Sequence, residues 1–222
     1  MSSPSLRLLL SSCVVAALMG GSSGCREWLD EGLNAADDAL LVDFDVSLNL
    51  PGGIIVPYPG SAVLNSGVYP TDSESGLVKL PFLPTPVVPI NMVDIDPTGK
   101  LGEYQDNIRT ITIKRITATV TDNNFPAEIQ PIAIHIGDFD DSVDNSLKAA
   151  ETPLIAVGTN PVVEATIDPV NQASIGNVLK GLAFSVTTRT SVKKPDVEIP
   201  AGGSFTIKFK IDVTITATPI PQ

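Results

Sequence analysis

The C-terminal run constrains the fold most. In "FTIKFKIDVTITAT", Phe205, Ile207, Phe209, Ile211, Val213, Ile215 and Ala217 alternate with Thr206, Lys208, Lys210, Asp212, Thr214, Thr216 and Thr218. Period-two alternation places the first set on one face of an extended chain and the second on the other. An apolar row of this length must be covered by a second layer, and its β-branched members suit a pleated surface. Whatever else the chain does, it has to bury one side of this strand and leave the other wet.

The same rhythm recurs along the chain. In "LLVDFDVSLNL", Leu40, Val42, Phe44, Val46, Leu48 and Leu50 alternate with Asp43, Asp45, Ser47 and Asn49. "IRTITIKRITATVTD" changes parity at Lys114-Arg115: Ile111 and Ile113 keep one count, and Ile116, Ala118 and Val120 keep the other. A β-bulge at that step restores a single buried face. "EIQPIAIHIG" contributes Ile132, Ile134 and Ile136, and "LAFSVTTRTSV" places Leu182, Phe184, Val186 and Val192 on one side. "PLIAVG" and "VVEATID" read as two short strands joined by a turn at Gly158 to Pro161. Only "NQASIGNVLKGL" has helical spacing, through Ile175, Val178, Leu179 and Leu182, and it is long enough for one or two turns.

Residues 51–97 carry Pro51, Pro57, Pro59, Pro70, Pro81, Pro84, Pro86, Pro89 and Pro97. Proline donates nothing to a ladder, so this excursion reads as edge strand, turn and extended crossover that packs on or bridges two sheets. Six to nine strands with little helix imply an all-β fold. The expected architecture over 39–222 is an antiparallel β-sandwich, immunoglobulin-like or jelly-roll-like, with a closed β-barrel as the alternative.

The N-terminus reads differently. Arg7 precedes the largely apolar run "LLLSSCVVAALM" (Leu8 to Met19), which is too short to span a bilayer and suits a secretory signal. Small residues, Gly20 to Gly24, lead to Cys25. The chain has two cysteines, and Cys13 lies within the apolar run. Removal of that run leaves Cys25 alone, unable to form an intramolecular disulfide. A lone thiol in an oxidising compartment is open to oxidation, and acylation to a thioether removes that exposure.

A basic residue, an apolar run, small residues and then Cys resemble a bacterial lipoprotein signal. Ser23 and Gly24 match the pattern, while Ser22 stands where Leu is usual. The resemblance covers residues 1–25 only. It implies cleavage of a signal peptide, 1–24, and lipidation of Cys25. Arg26 stands where that family often carries an Asp for inner-membrane retention, so the resemblance favours the outer membrane. The alternative is ordinary cleavage that leaves Cys25 as a free thiol. Residues 25–38 would then be a tether or short helix, with Trp28 at the membrane interface or at the edge of a core.

Net charge is −11, from 14 basic and 25 acidic residues. Nucleic acid is disfavoured as a partner, because phosphates need clustered Lys and Arg. His135 is the only histidine, expected to face solvent from a strand; a Ser-His-Asp catalyst would have to use it, and a histidine-rich zinc site is excluded. Two stretches suggest calcium. "DIDPTGKLGEYQD" starts like a calcium loop with Asp94, Asp96 and Thr98, although Gln105 takes the place of the bidentate Glu and no helix-forming pattern flanks it. "GDFDDSVDN" concentrates Asp138, Asp140, Asp141 and Asp144, with solvation as the simpler account of their charge. No other cofactor is expected.

The functional expectation is an outer-membrane lipoprotein, not an enzyme. Its β-sandwich would serve binding, adhesion or envelope scaffolding, with the membrane as one partner and a protein or surface polymer as another, facing the periplasm or the cell surface. The alternatives are a periplasmic carrier of an apolar ligand, which needs a cavity, and a carboxylate-dependent hydrolase, which needs two acids close together in a cleft.

Overall fold

In a computed structural model that describes residues 41–83, 89–139 and 145–219, the alternating C-terminal run forms strand β11 (Ser204–Ala217). Phe205, Ile207, Phe209, Ile211, Val213, Ile215 and Ala217 are all buried. On one side β11 pairs with β5 (Ile108–Thr121). On its other side lie β1 (Val42–Asn49) and β2 (Ile54–Pro57), both along the same edge. Side-chain bonds Ser47–Asp212, Asp45–Thr214 and Asp43–Thr216 step in opposite directions along β1 and β11, so this pair is antiparallel.

The parity change in β5 is a bulge. Asp212 faces Arg115 and Val213 faces Ile113, leaving Lys114 without a register partner. One extra residue turns both halves of β5 the same way, and Ile111, Ile113, Ile116, Ala118 and Val120 are all buried.

From β5 the pairing continues through β8 (Val162–Ile167), β7 (Leu147–Glu151), β6 (Ala133–Asp138), β9 (Ala183–Arg189) and β4 (Pro89–Asn91). The β7–β8 contact is a corner of two residue pairs, Ala150 with Ile167 and Glu151 with Thr166. There the sheet folds over, so that Ile134, Ile136, Phe184 and Val186 join the β11 row in one core. The result is an antiparallel β-sandwich curled at one corner. Among the described strands the path ends at β1 and β4 without closing, which separates it from a barrel.

The proline-rich excursion serves both sheets. β2 lies on the first. Further on, β3 (Leu77–Lys79) pairs with β10 (Ser191–Lys193), Leu83 bridges Thr188, and β4 pairs with the start of β9. Prolines in these edge segments cost no ladder bond, because their nitrogens need not face a neighbouring strand.

Some local expectations are corrected. "PLIAVG" contributes one bridge, Ile155 to Ile129, and does not pair with "VVEATID". β8 pairs instead with β5 and, at the corner, with β7, whose Ala149 and Ala150 give too weak an apolar signal to stand out. Short helices α1 (Ser61–Asn65), α2 (Met92–Ile95) and α3 (Lys100–Tyr104) occupy stretches with too few residues for a readable period. The helical segment is α4 (Gln172–Lys180). Along β5, β8 reaches only Ile116–Thr119, and α4 covers the β5 edge beyond it. Gln172 Nε2 donates to the Ile113 carbonyl at 3.3 Å. A Cβ on Gly176 would come within 2.5 Å of the Ile111 carbonyl oxygen, so the close approach of α4 requires glycine there. Covering an edge with a helix hides unpaired donors and acceptors.

The strands define two poles. Asp43, Thr216 and Thr110 lie at the pole where β1 begins. At the other pole Asn123 ties loops together: its side chain donates to the Thr159 carbonyl at 2.8 Å and accepts from Phe125 N–H at 3.2 Å, while its own N–H donates to Asn160 Oδ1.

Deleting Thr117 should turn Ala118 and Val120 toward water, or, with the bulge lost instead, expose Ile116 and bury Arg115. With about 1.5–3 kcal/mol for each large apolar side chain exposed, the deletion should abolish cooperative unfolding. Lys114→Ala keeps the bulge and loses only an exposed ion pair, so it should cost less than about 1 kcal/mol. Urea denaturation of the two variants measures the contrast.

Candidate functional site

The clearest concavity arises where the edge of the first sheet is interrupted. β1 makes its last bond to β11 through Leu50 N–H and the Phe209 carbonyl, and pairing resumes at Ile54 opposite Ile207. Between them Pro51 and Gly53 flank Gly52, whose φ of 74° swings the chain off the edge. A cleft of about 400 Å³ opens beneath this break. Leu50, Ile54, Ile207 and Phe209 line it from the first sheet, and Leu83, Ile90 and Val186 from the second. Lys208 also borders it and forms no ion pair with a described residue. A few hundred Å³ of largely apolar lining with one polar group at the margin is the general make-up of a small-ligand site.

The outer face of the first sheet carries charges that satisfy one another. The bulge turns two consecutive cations, Lys114 and Arg115, to this side. Lys114 Nζ donates to Asp45 at 2.9 and 3.1 Å, and Thr214 Oγ1 adds a bond at 2.7 Å. Asp212 accepts from Ser47 Oγ at 2.6 Å and from Arg115 Nε and Nη2 at 2.9 and 2.7 Å, with Lys210 Nζ at 3.2 Å. The hydroxyl of Thr214 and the ammonium of Lys114 lower the Asp45 pKa below the ordinary carboxylate value. Partial burial works against ionisation of Asp212, but the bonds from Ser47, Arg115 and Lys210 outweigh it and the pKa falls. Both carboxylates are held ionised as bridges between strands, whereas an acid-base pair needs one of its members kept protonated.

His135 does not simply face solvent. Its ring is half-buried, edge-on to Phe82 with centroids 5.0 Å apart, and Arg189 lies over the same Phe82 ring at 4.7 Å. Burial depresses its pKa, and the positive charges of Lys148 and Arg189 add to this against a Ser146 backbone interaction that raises it. Cations beside the ring oppose the imidazolium that a triad histidine must carry. The strand periodicity placed this side chain on the outer face, and only the Phe82 segment crossing over it explains the burial.

The calcium-loop residues have local roles. α2 overlaps the start of the stretch and α3 lies within it, so no pair of helices brackets an open ligand loop there. Asp96 Oδ1 accepts from the Thr98 N–H at 2.8 Å and the Thr98 hydroxyl at 2.7 Å, and Oδ2 accepts from the Leu101 N–H at 2.9 Å. Asp96 and Thr98 are therefore brought together to cap α3, while Asp94 is exposed. Asp138 is exposed at the end of β6, and Asp140, Asp141 and Asp144 lie outside the described residues. Among the described residues no three His, Cys, Asp or Glu side chains are grouped to hold a metal ion. Cys25 and Trp28 also lie outside the described residues.

No family model and no curated protein matches the chain. Among solved structures, it is similar to the mud crab tombus-like virus at 11% identity and a TM-score of 0.37, with 82% of each chain covered. It is also similar to a Penaeus vannamei nodavirus capsid protein deletion mutant at 14% identity and a TM-score of 0.34, covering 82% of this chain and 98% of that one. Likenesses this distant carry neither a family nor a function to this chain.

Asp45, Asp72 and Asp212 all have folded pKa values below the usual 3.8, Asp72 near 2 through the Ser75 and Glu74 N–H groups. Their contribution to stability is complete above the unfolded pKa and is lost as pH falls through the folded one. Melting temperature should therefore hold near neutral pH and drop below about pH 4. Asp212→Asn should lower Tm by a few degrees at pH 7 and reduce the acid slope, as followed by circular dichroism between pH 7 and pH 2.

Proposed function

We propose that the chain is a non-enzymatic lipoprotein: a β-sandwich anchored at the bacterial outer membrane through acyl chains on Cys25, acting as a binding, adhesion or envelope-scaffold module. The observation that carries this reading is the separation of the two poles. The segment following Cys25 enters the sandwich at Asp43, beside Thr216 near the C-terminal end of β11. The loops held by Asn123, together with the one at 197–203, gather at the opposite end of that 14-residue strand, at most about 40 Å away at about 3.3 Å per residue. Val157, Val162, Val197 and Ile55 are exposed toward this far end, at 51%, 67%, 69% and 63%. A tether at one pole and loops with exposed apolar side chains at the other suit a module that presents its loops away from a surface. The acids engaged as strand bridges favour a binding role over hydrolysis.

Intact mass of the native protein tests the anchor. A chain beginning at Cys25 and carrying acyl mass is expected, and an unmodified chain overturns the proposal. Cys25→Ser should move the protein from the detergent to the aqueous phase with no change in melting temperature.

The apolar cleft favours a second reading, a carrier of an apolar ligand. Its volume exceeds the roughly 300 Å³ at which ligand sites begin, and its walls are the core rows themselves. cis-Parinaric acid should bind saturably with a rise in fluorescence, and Ile54→Trp, which fills the cleft mouth, should weaken that binding about tenfold or more. Absence of saturable binding by the parent chain removes this reading.

A further inference from the structure

A second hollow lies between α4 and the start of β5, separate from the apolar cleft. It has a volume of about 430 Å³. Its depth follows from the close approach of the helix: Gly176 and Ala173 present almost no side chain, so the residues around them form a rim. Arg109, Lys180, Asn177, Thr110 and Thr112 line that rim, and among the described residues no Asp or Glu lines the hollow.

That composition is unusual for this chain, in which acids outnumber bases 25 to 14. Elsewhere seven of the described cations are committed, while Lys193, Lys194 and Lys208 form no ion pair with a described residue. Lys79, Lys114, Arg115, Lys148 and Lys210 sit in ion pairs, and Lys100 and Arg189 lie over aromatic rings. Arg109 and Lys180 form no ion pair or hydrogen bond among the described residues. The same holds for the Asn177 amide and for the hydroxyls of Thr110 and Thr112. Two cations and three neutral hydrogen-bonding groups thus border one hollow, and no described acid shares its lining.

We infer that the hollow between α4 and β5 binds an anionic sugar unit, with its phosphate or carboxylate held by Arg109 and Lys180. The guanidinium fork matches two oxygens of such a group, and the ammonium adds a point charge. Asn177, Thr110 and Thr112 then meet the hydroxyls, for which an amide or alcohol both donates and accepts. The hollow sits at the pole where β1 begins, since Thr110 pairs with Thr216 and Thr216 bonds Asp43. That placement would direct it toward the surface to which the chain is tethered, a clause that rests on the anchor reading. The site itself does not.

Nitrogen-15 NMR titration of the full-length Cys25→Ser chain separates the two. Glucose 6-phosphate should shift the Gly176, Asn177 and Thr110 amides saturably, and neutral glucose should leave them unmoved. Arg109→Gln and Lys180→Gln should each weaken binding about tenfold or more, with melting temperatures like the parent's. Lys193→Gln, on β10, should bind like the parent. Phosphatidylglycerol vesicles that move the same amides, where phosphatidylcholine vesicles do not, would identify a lipid headgroup as the source of the anion; a response to the soluble ester alone would identify a free sugar. No saturable shift at millimolar ester, equal binding of glucose, or unaltered affinity in both variants would overturn the inference.

Discussion

The whole sandwich depends on keeping one face of β11 dry along its full length. A strand that alternates apolar and polar residues tolerates no slip, because a shift of one residue would send every buried side chain to water. β11 meets that condition without interruption, and its neighbours adjust to it. β5 uses the Lys114 bulge to bring two out-of-phase apolar rows onto one side. β1 and β2 share one β11 edge by breaking at Pro51 to Gly53.

Each adjustment has a consequence on the surface. The bulge places Lys114 and Arg115 together on the wet face, where Asp45 and Asp212 bind them and link three strands. The break in the edge opens the apolar cleft. The part of β5 beyond the reach of β8 requires a cover, and the close-lying α4 that supplies it creates the second hollow. These two hollows are thus by-products of how a single central strand is accommodated.

Much of the fold was legible in the chain. The β11, β1 and β5 rows, the bulge and the edge role of the proline-rich stretch all follow from local patterns, since period and proline chemistry act over a few residues. β7 was not, because Ala149 and Ala150 are too small to mark a buried face. β9 reads as a one-sided strand, but Ser185 and Thr187 on its other face are buried as well, at 2% and 1% exposure, a consequence of what packs over them. The candidate sites were less legible. Asp96 looked like a calcium ligand and serves as a helix cap, since a carboxylate has the same local appearance in both roles. Arg109 and Lys180 are 71 positions apart and carry no shared motif.

The sequence by itself determined the strand faces, because they depend on side-chain type and spacing along one short stretch. Only the tertiary structure decided where the sheet turns its corner, which carboxylates meet which cations, and where the two hollows form. These depend on contacts between segments far apart in the chain, and no local pattern records which distant surface a given face will meet.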